Sequence, residues 1–288
     1  MTAAVQTQPT ELPMNKRSTK SVLYSVFRFT MITLLILFFL IPIIWMVMSS
    51  LRTSLDITDP SRLLTFDFTW VNYDNVFRRE NFLPYIWNSF IIGLASTVVS
   101  LVLGVPAAWA MARFSMTKSA GGVLIARIIP GVSLLIPWYY VFARLGLVGS
   151  YGALILSHMF VALPLIVWIM VSFFEQSTTE LEEAAEVDGL TPIGAFLRVT
   201  LPLAAPGIAT AGILSFIFSW NNFMFALILS AESTRTLPVA IFNFVGYASI
   251  DWGGLMAASV IITTPVMVMA LFAQKYIVAG LSAGATKG

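Results

Sequence analysis

Residues 182–202 read EEAAEVDGLTPIGAFLRVTLP and lie between two long apolar segments. The first part of this stretch is typical of a short helix over 178–187. Leu181, Ala184 and Ala185 recur there at i, i+3 and i+4, so they are expected to share one face, with glutamates around the rest. The small side chains of that face would allow a close approach to a partner surface.

A tight turn and a second helix are predicted to follow. Gly189 is expected to end the first helix, because glycine readily takes the left-handed conformation found after many helices. Thr191 is suited to cap the second helix, and Pro192 suits its first position. The residues predicted to share one side of this second helix are Ile193, Phe196, Leu197 and Thr200. The segment 175–201 is therefore interpreted as a helix-turn-helix.

Six apolar segments reach the roughly 20 residues that a helix needs to cross a bilayer. They cover 29–48, 85–112, 121–143, 151–174, 202–229 and 253–276. Prolines inside most of them are compatible with packed membrane helices. We therefore expect an all-α membrane protein with six transmembrane helices, a polar tail over 1–20 and one membrane domain over 21–288.

The composition agrees with a membrane protein. Of 288 residues, 58% are hydrophobic and 10% are charged, and the mean hydropathy is +0.87. Soluble domains have about 25% charged residues, so the bilayer is the solvent that suits this chain. The absence of cysteine and the single histidine exclude a disulfide framework and the usual metal sites, and no basic run indicates nucleic-acid binding.

Charge predicts the orientation. Lys16, Arg17, Lys20 and Arg28 precede the first predicted span, and positive charge tends to stay in the cytoplasm. Both termini and the segment 175–201 are then cytoplasmic. That segment nevertheless holds six acids and one arginine, so something other than topology must account for it.

The same segment resembles the EAA loop of binding-protein-dependent ABC importer permeases, which has an E-A-A triplet, a glycine and a Leu-Pro pair at matching spacing. The matching residues are Glu183, Ala184, Ala185, Gly189, Val199, Leu201 and Pro202. The carbohydrate branch of that family, and its smaller maltose-type permease in particular, is also similar at residues 88–89, 220–222, 236–239 and 279–284. The alternative is an ordinary amphipathic surface loop.

The resemblance implies the type I ABC importer permease fold and a function. The chain would be a multi-pass permease subunit of an ATP-driven carbohydrate importer in a bacterial or archaeal plasma (inner) membrane. Its partners would be a second permease in a heterodimer, two ATPase subunits, an extracytoplasmic solute-binding protein and membrane lipid, with no nucleic acid. The residues expected to couple to the ATPase are Glu183, Ala184, Ala185, Asp188, Gly189, Leu201 and Pro202.

The chain is not expected to be an enzyme by itself. It has no G-x-x-x-x-G-K-[ST] phosphate loop, so ATP and Mg would bind to the partner ATPase, with no catalytic residue, cofactor or metal in this chain. An intramembrane enzyme would also need a nucleophile–base pair or a metal constellation, and His158 alone forms neither.

The substrate path is expected among aromatic and amide side chains in the outer halves of the spans. The candidates are Asn88, Tyr139, His158, Trp220, Asn221 and Asn222. The alternative is that they serve as packing residues and as hydrogen-bonding contacts between helices.

The main rival function is an ion-coupled secondary transporter or a channel subunit. Ion-coupled carriers commonly place acids inside the membrane, whereas all fourteen Asp and Glu lie outside the predicted spans or at their edges. Arg127 is the clear charge within a span. It either extends its side chain to the interface or contacts a partner or gate.

Overall fold

The computed structural model describes the backbone of residues 19–285 except 63–66, 117–120, 124, 126, 127, 177, 178 and 248. Side chains are described for 23–274 with the same gaps. Most of the predicted tail, Arg127 and the side chains of 279–284 lie outside these residues. The contacts divide the chain into two units, residues 1–48 and residues 49–288.

The described elements are helical, apart from one isolated bridge between Val245 and Ile250. The helices of more than 15 residues are α1 Thr19–Ser50, α4 Leu83–Arg113, α6 Tyr151–Gln176, α10 Ala205–Trp220 and α13 Trp252–Ala285. The shorter ones are α2 Ser54–Thr58, α3 Val71–Asp74, α5 Leu135–Arg144, α7 Glu180–Val187, α8 Pro192–Ala195, α9 Leu201–Leu203, α11 Met224–Leu229 and α12 Leu237–Ala240. Short 3₁₀ turns cover Pro60–Arg62, Gly131–Leu134, Glu232–Thr234 and Ile241–Phe244, and π-helical turns cover Asn75–Arg79 and Phe196–Thr200.

Four of the described helices are long and apolar enough to cross a membrane. They contain Leu23–Ser50, Leu83–Arg113, Tyr151–Gln176 and Trp252–Gln274. The pair Pro192–Leu203 and Ala205–Trp220 would make a fifth span, but it bends by 72°. The all-α class is thus confirmed within the described residues, while the count of six spans stays a prediction.

Two predicted spans differ in detail from the structure. Over 202–229, the long helix ends at Trp220 and helix resumes at Met224. The Asn222 side chain accepts a hydrogen bond from the Phe225 backbone N–H at 3.2 Å, a local bond that competes with a continuous helix. Over 121–143, the structure describes the turn Gly131–Leu134 and α5, and part of the segment lies outside the described residues.

In the second unit, α4, α6 and α10 pack around an apolar cluster that also receives the helix-turn-helix. Its buried members include Ala108, Met170, Phe174, Phe196 and Ala211. Such a contact brings the segment 180–203 against the ends of the long helices.

Close packing of α4 on α6 depends on Gly104. A Cβ at this position would lie 2.9 Å from Cγ2 of Ile166, which is buried and β-branched. We expect Gly104→Val to lower the stability of the detergent-solubilised protein by about 1–3 kcal/mol, because overpacking forces neighbours out of their rotamers. A melting curve measures this loss. Gly122→Val is the control, since a Cβ there meets no atom within 4 Å, and an equal melting temperature for the two variants would contradict the packing account.

Candidate functional site

The helix-turn-helix forms as the local sequence predicts. Helix α7 covers Glu180–Val187, and Gly189 follows it with a φ of +94°. The Thr191 hydroxyl accepts a hydrogen bond from the Gly194 backbone N–H at 3.1 Å, and Pro192 opens α8. The positive φ is the reason that the turn needs glycine. Lack of space is not the reason, because a Cβ there would meet no atom within 4 Å.

The structure shows which residues of α7 are buried. Glu182 and Ala185 are buried, while Leu181 and Ala184 are exposed. On the next helical segment, Phe196 and Thr200 are buried and Ile193 and Leu197 are exposed. The shared face expected to approach a partner is therefore exposed at Leu181 and Ala184 and buried at Ala185. The inward position of α7 is occupied by the Glu182 carboxylate, which has polar partners.

Those partners surround Glu182. The Trp109 indole N–H lies 3.2 Å from each carboxylate oxygen, and the Thr200 hydroxyl donates to Oε1 at 2.7 Å. The Arg113 guanidinium lies 3.4 Å from Oε2 of Glu182, 3.6 Å from Glu183 and 3.9 Å from Glu186. A buried carboxylate is stable only with such hydrogen bonds and a nearby positive charge. Sequence reasoning missed this cluster, although Trp109 and Arg113 are spaced i, i+4 at the end of an apolar helix.

Four apolar side chains of the helix-turn-helix are exposed. Val187 is 88% exposed, and Leu181, Ile193 and Leu197 are each at least half exposed. We call these four residues the outer apolar face. An apolar patch rimmed by charges, here Glu183 and Asp188, is typical of a protein–protein contact.

The expected coupling residues differ in their exposure. Glu183, Ala184, Asp188, Gly189 and Pro202 are exposed, Leu201 is partly buried and Ala185 is buried. The Asp188 backbone N–H closes the last turn of α7 by donating to Ala184.

Asn88, a substrate-path candidate, is buried and fully engaged in hydrogen bonds. Its side-chain amide donates to the carbonyls of Ser233 and Arg235 at 3.0 and 2.8 Å, and its oxygen accepts from the Tyr151 hydroxyl at 2.6 Å. The residue therefore fixes the loop after α11 onto α4 and α6.

His158 and Trp220 are also buried among helices. The His158 Nδ1 lies 2.6 Å from the Ser219 hydroxyl, which also accepts a hydrogen bond from Ser96 at 3.1 Å. The Trp220 indole donates to the Ile262 carbonyl at 3.1 Å. These contacts join α4, α6, α10 and α13, and they agree with the packing interpretation.

The remaining candidates are more accessible. Tyr139 and Asn221 are exposed, and Asn222 is partly buried and caps α11 through Phe225. Tyr140, next to Tyr139, is held by Arg144, which donates to its hydroxyl at 2.9 Å. The structure thus leaves Tyr139 and Asn221 as the candidates with accessible side chains.

The segment after α1 carries its own polar network. Buried Arg52 donates to the carbonyls of Asp56 and Arg62, and Arg62 forms an ion pair with Asp56 at 2.7 Å. The Thr53 hydroxyl and then the Arg62 guanidinium hold the pKa of Asp56 below its usual range. This network orders the segment in front of α3.

The segment between α11 and α13 carries an exposed tyrosine near its end. Glu232 and Arg235 form an ion pair at 2.9 Å near its start, and Tyr247 is fully exposed between the bridged residues Val245 and Ile250. Asp251 then accepts hydrogen bonds from the Ser54 hydroxyl at 2.9 Å and the Gly254 N–H at 3.1 Å. These bonds fix the start of α13 to the segment after α1.

The chain is similar to known proteins in both sequence and structure. A family model described as binding-protein-dependent transport system inner membrane component matches residues 14–283. The trehalose transport system permease protein SugB of Mycobacterium tuberculosis is 39% identical over 89% of this chain and 95% of its own length. The trehalose/maltose transport system permease protein MalG of Thermococcus litoralis is 38% identical over 86% of this chain and 92% of its own length. Among solved structures, a chain of a bacterial ABC transporter involved in the import of the acidic polysaccharide alginate matches with a TM-score of 0.77 at 22% identity, covering 90% of this chain and 98% of that one.

Proposed function

The chain belongs to the family of binding-protein-dependent transport system inner membrane components, and from this premise we propose that it is the permease subunit of an ATP-driven carbohydrate importer. The proposal is supported by relatives over most of the chain that are named as trehalose or trehalose/maltose permeases. The alternative of an ion-coupled carrier or channel is not favoured by any of these relatives.

The single observation that carries the coupling role is the outer apolar face. Leu181, Val187, Ile193 and Leu197 expose apolar side chains on the helix-turn-helix, which the proposed topology places outside the bilayer. A separate ATPase subunit with a matching groove would bury this face and so transmit its movement to the spans. Glu183, Asp188 and Gly189 would then lie at the contact.

The assembly we propose follows the resemblance described above. In this assembly the chain has six spans, and both termini and the helix-turn-helix lie in the cytoplasm. A second permease completes the translocation path, two ATPase subunits bind ATP and Mg, and a solute-binding protein delivers the carbohydrate outside. Among the solved relatives, one is a bacterial alginate transporter in complex with a periplasmic protein bound to an alginate pentasaccharide, which supports the last of these partners.

Affinity purification followed by transport tests the proposal. The tagged chain, purified in mild detergent from its own host, is expected to bring with it a second permease and an ATPase. The complex in liposomes should take up a carbohydrate only when ATP and the loaded binding protein are present. Uptake driven by an ion gradient alone, by a chain that purifies without partners, would contradict the proposed function.

Substitutions at Asn221 and Asn222 are expected to distinguish a substrate contact from a helix-capping contact. We expect Asn221→Ala to reduce the maximal rate of ATP-driven uptake about tenfold with the complex intact, the effect of one lost hydrogen bond to a sugar hydroxyl in the rate-limiting state. Asn222→Ala should instead lower the melting temperature, because it removes the bond to the Phe225 N–H. Unchanged uptake kinetics in the Asn221 variant would remove this residue from the substrate path.

A further inference from the structure

Glu182 differs from the other glutamates of α7 in its surroundings. Its side chain is 10% exposed, whereas those of Glu183 and Glu186 are 63% and 36% exposed. Leaving a carboxylate in such a place is costly unless its oxygens are occupied. Both oxygens are within reach of the Trp109 indole N–H, and Oε1 also accepts from Thr200.

The partners of this carboxylate come from two other parts of the chain. Trp109 and Arg113 lie one turn apart at the C-terminal end of α4, and Trp109 is 73 residues from Glu182. Thr200 lies in the π-helical turn after α8, 18 residues away. The Glu182 side chain therefore joins α7, the end of α4 and the π-helical turn, which are separated along the chain.

Hydrogen bonds and apolar packing between α7 and α4 differ in the kind of movement that they can transmit. Apolar packing resists separation, because separation exposes apolar area to water, but it is not directional and does not fix one geometry. Hydrogen bonds to a carboxylate and an adjacent guanidinium resist separation as well, because separation would leave buried charge without a partner. The ring of Trp109 also packs on Phe196, with centroids 4.7 Å apart. The same residue therefore contributes both apolar packing and a hydrogen bond.

We propose that Glu182 is a positioning residue that locks α7 to the cytoplasmic end of α4, so that both move as one body when the ATPase subunits close. The inference rests on the proposed function, since it assumes that α7 receives the movement. It adds a role for α4, which is not adjacent to the helix-turn-helix in the chain, and for a residue outside the E-A-A triplet.

The experiment uses the whole complex with its partners. Glu182→Gln keeps the shape of the side chain but removes its charge, and Glu182→Ala removes all of its contacts. Glu180→Ala is the matched control, because Glu180 is an exposed glutamate of the same helix. Carbohydrate taken up per ATP hydrolysed is expected to fall about tenfold for Glu182→Ala, the factor that follows from losing about 1.4 kcal/mol of charge-assisted hydrogen bonding. The control should keep the parent value.

A distance measurement reports the lock without relying on transport. Because the chain has no cysteine, spin labels can be placed at Glu180→Cys and Phe114→Cys, two exposed positions on α7 and at the end of α4. The distance between them should be the same with and without ATP in the parent, and it should change or broaden with ATP in Glu182→Gln.

The outcomes separate the two proposals. A parent chain that binds no ATPase contradicts the proposed function and this inference with it. Normal ATPase binding with an unchanged uptake per ATP in both Glu182 variants contradicts the inference alone. A parent label distance that changes on ATP binding does the same, because α7 and α4 would then move separately.

Discussion

Replacing Val187 with aspartate is expected to detach the ATPase subunits from the permease. Val187 is the most exposed large apolar side chain of the helix-turn-helix. A charge at the centre of a buried contact must be desolvated without a partner, and centres of interfaces lose about 2–4 kcal/mol in such cases. That corresponds to an affinity at least about thirtyfold weaker.

The effect is measured as the amount of ATPase that co-purifies with the tagged chain at increasing ATPase concentration. Leu55→Asp is the control, because Leu55 is 79% exposed but lies in α2, outside the helix-turn-helix. Equal ATPase recovery from the Val187 variant and the control would show that the outer apolar face is not the docking surface.

The second large effect is expected at Gly189. Valine there would have to adopt a φ near +94°, which is highly unfavourable for a β-branched residue and costs about 1–3 kcal/mol. The turn would relax to another conformation and change the angle between α7 and α8. We expect Gly189→Val to reduce ATP-driven uptake at least about tenfold while the chain still inserts into the membrane.

Gly189→Asn is the matched variant, because asparagine tolerates positive φ better than valine does. It should retain more uptake than Gly189→Val. Since a Cβ at this position meets no atom within 4 Å, a crowding effect cannot explain the difference. Normal uptake by the valine variant would contradict the role assigned to this turn.

Local sequence was sufficient for the features that depend on neighbouring residues. The cap at Thr191, the proline at the start of α8 and the glycine turn all involve groups within a few residues of each other. The long apolar segments likewise predicted α1, α4, α6 and α13, because length and hydropathy alone decide whether a helix can cross a bilayer.

The face that each short helix buries was beyond the reach of the sequence. Leu181 and Glu182 are adjacent, and periodicity placed Leu181 on a face shared with Ala184 and Ala185 without deciding which face is buried. The structure buries the glutamate because Trp109 and Arg113 supply its partners from a distant part of the chain. In the same way, Asn88 was a candidate for the substrate path, with packing and hydrogen bonding between helices as the alternative. Its two carbonyl partners after α11 show that it binds the backbone.

The sequence by itself determined the membrane class, four of the long helices and the helix-turn-helix with its glycine at position 189. Composition, segment length and capping chemistry are properties of neighbouring residues, and they do not depend on how the helices pack. Only the tertiary structure decided that Glu182 turns inward, that the outer apolar face stays exposed, and that Asn88 and His158 hold helices together. Burial and pairing depend on which groups meet across the fold, and these groups are tens of residues apart in the chain.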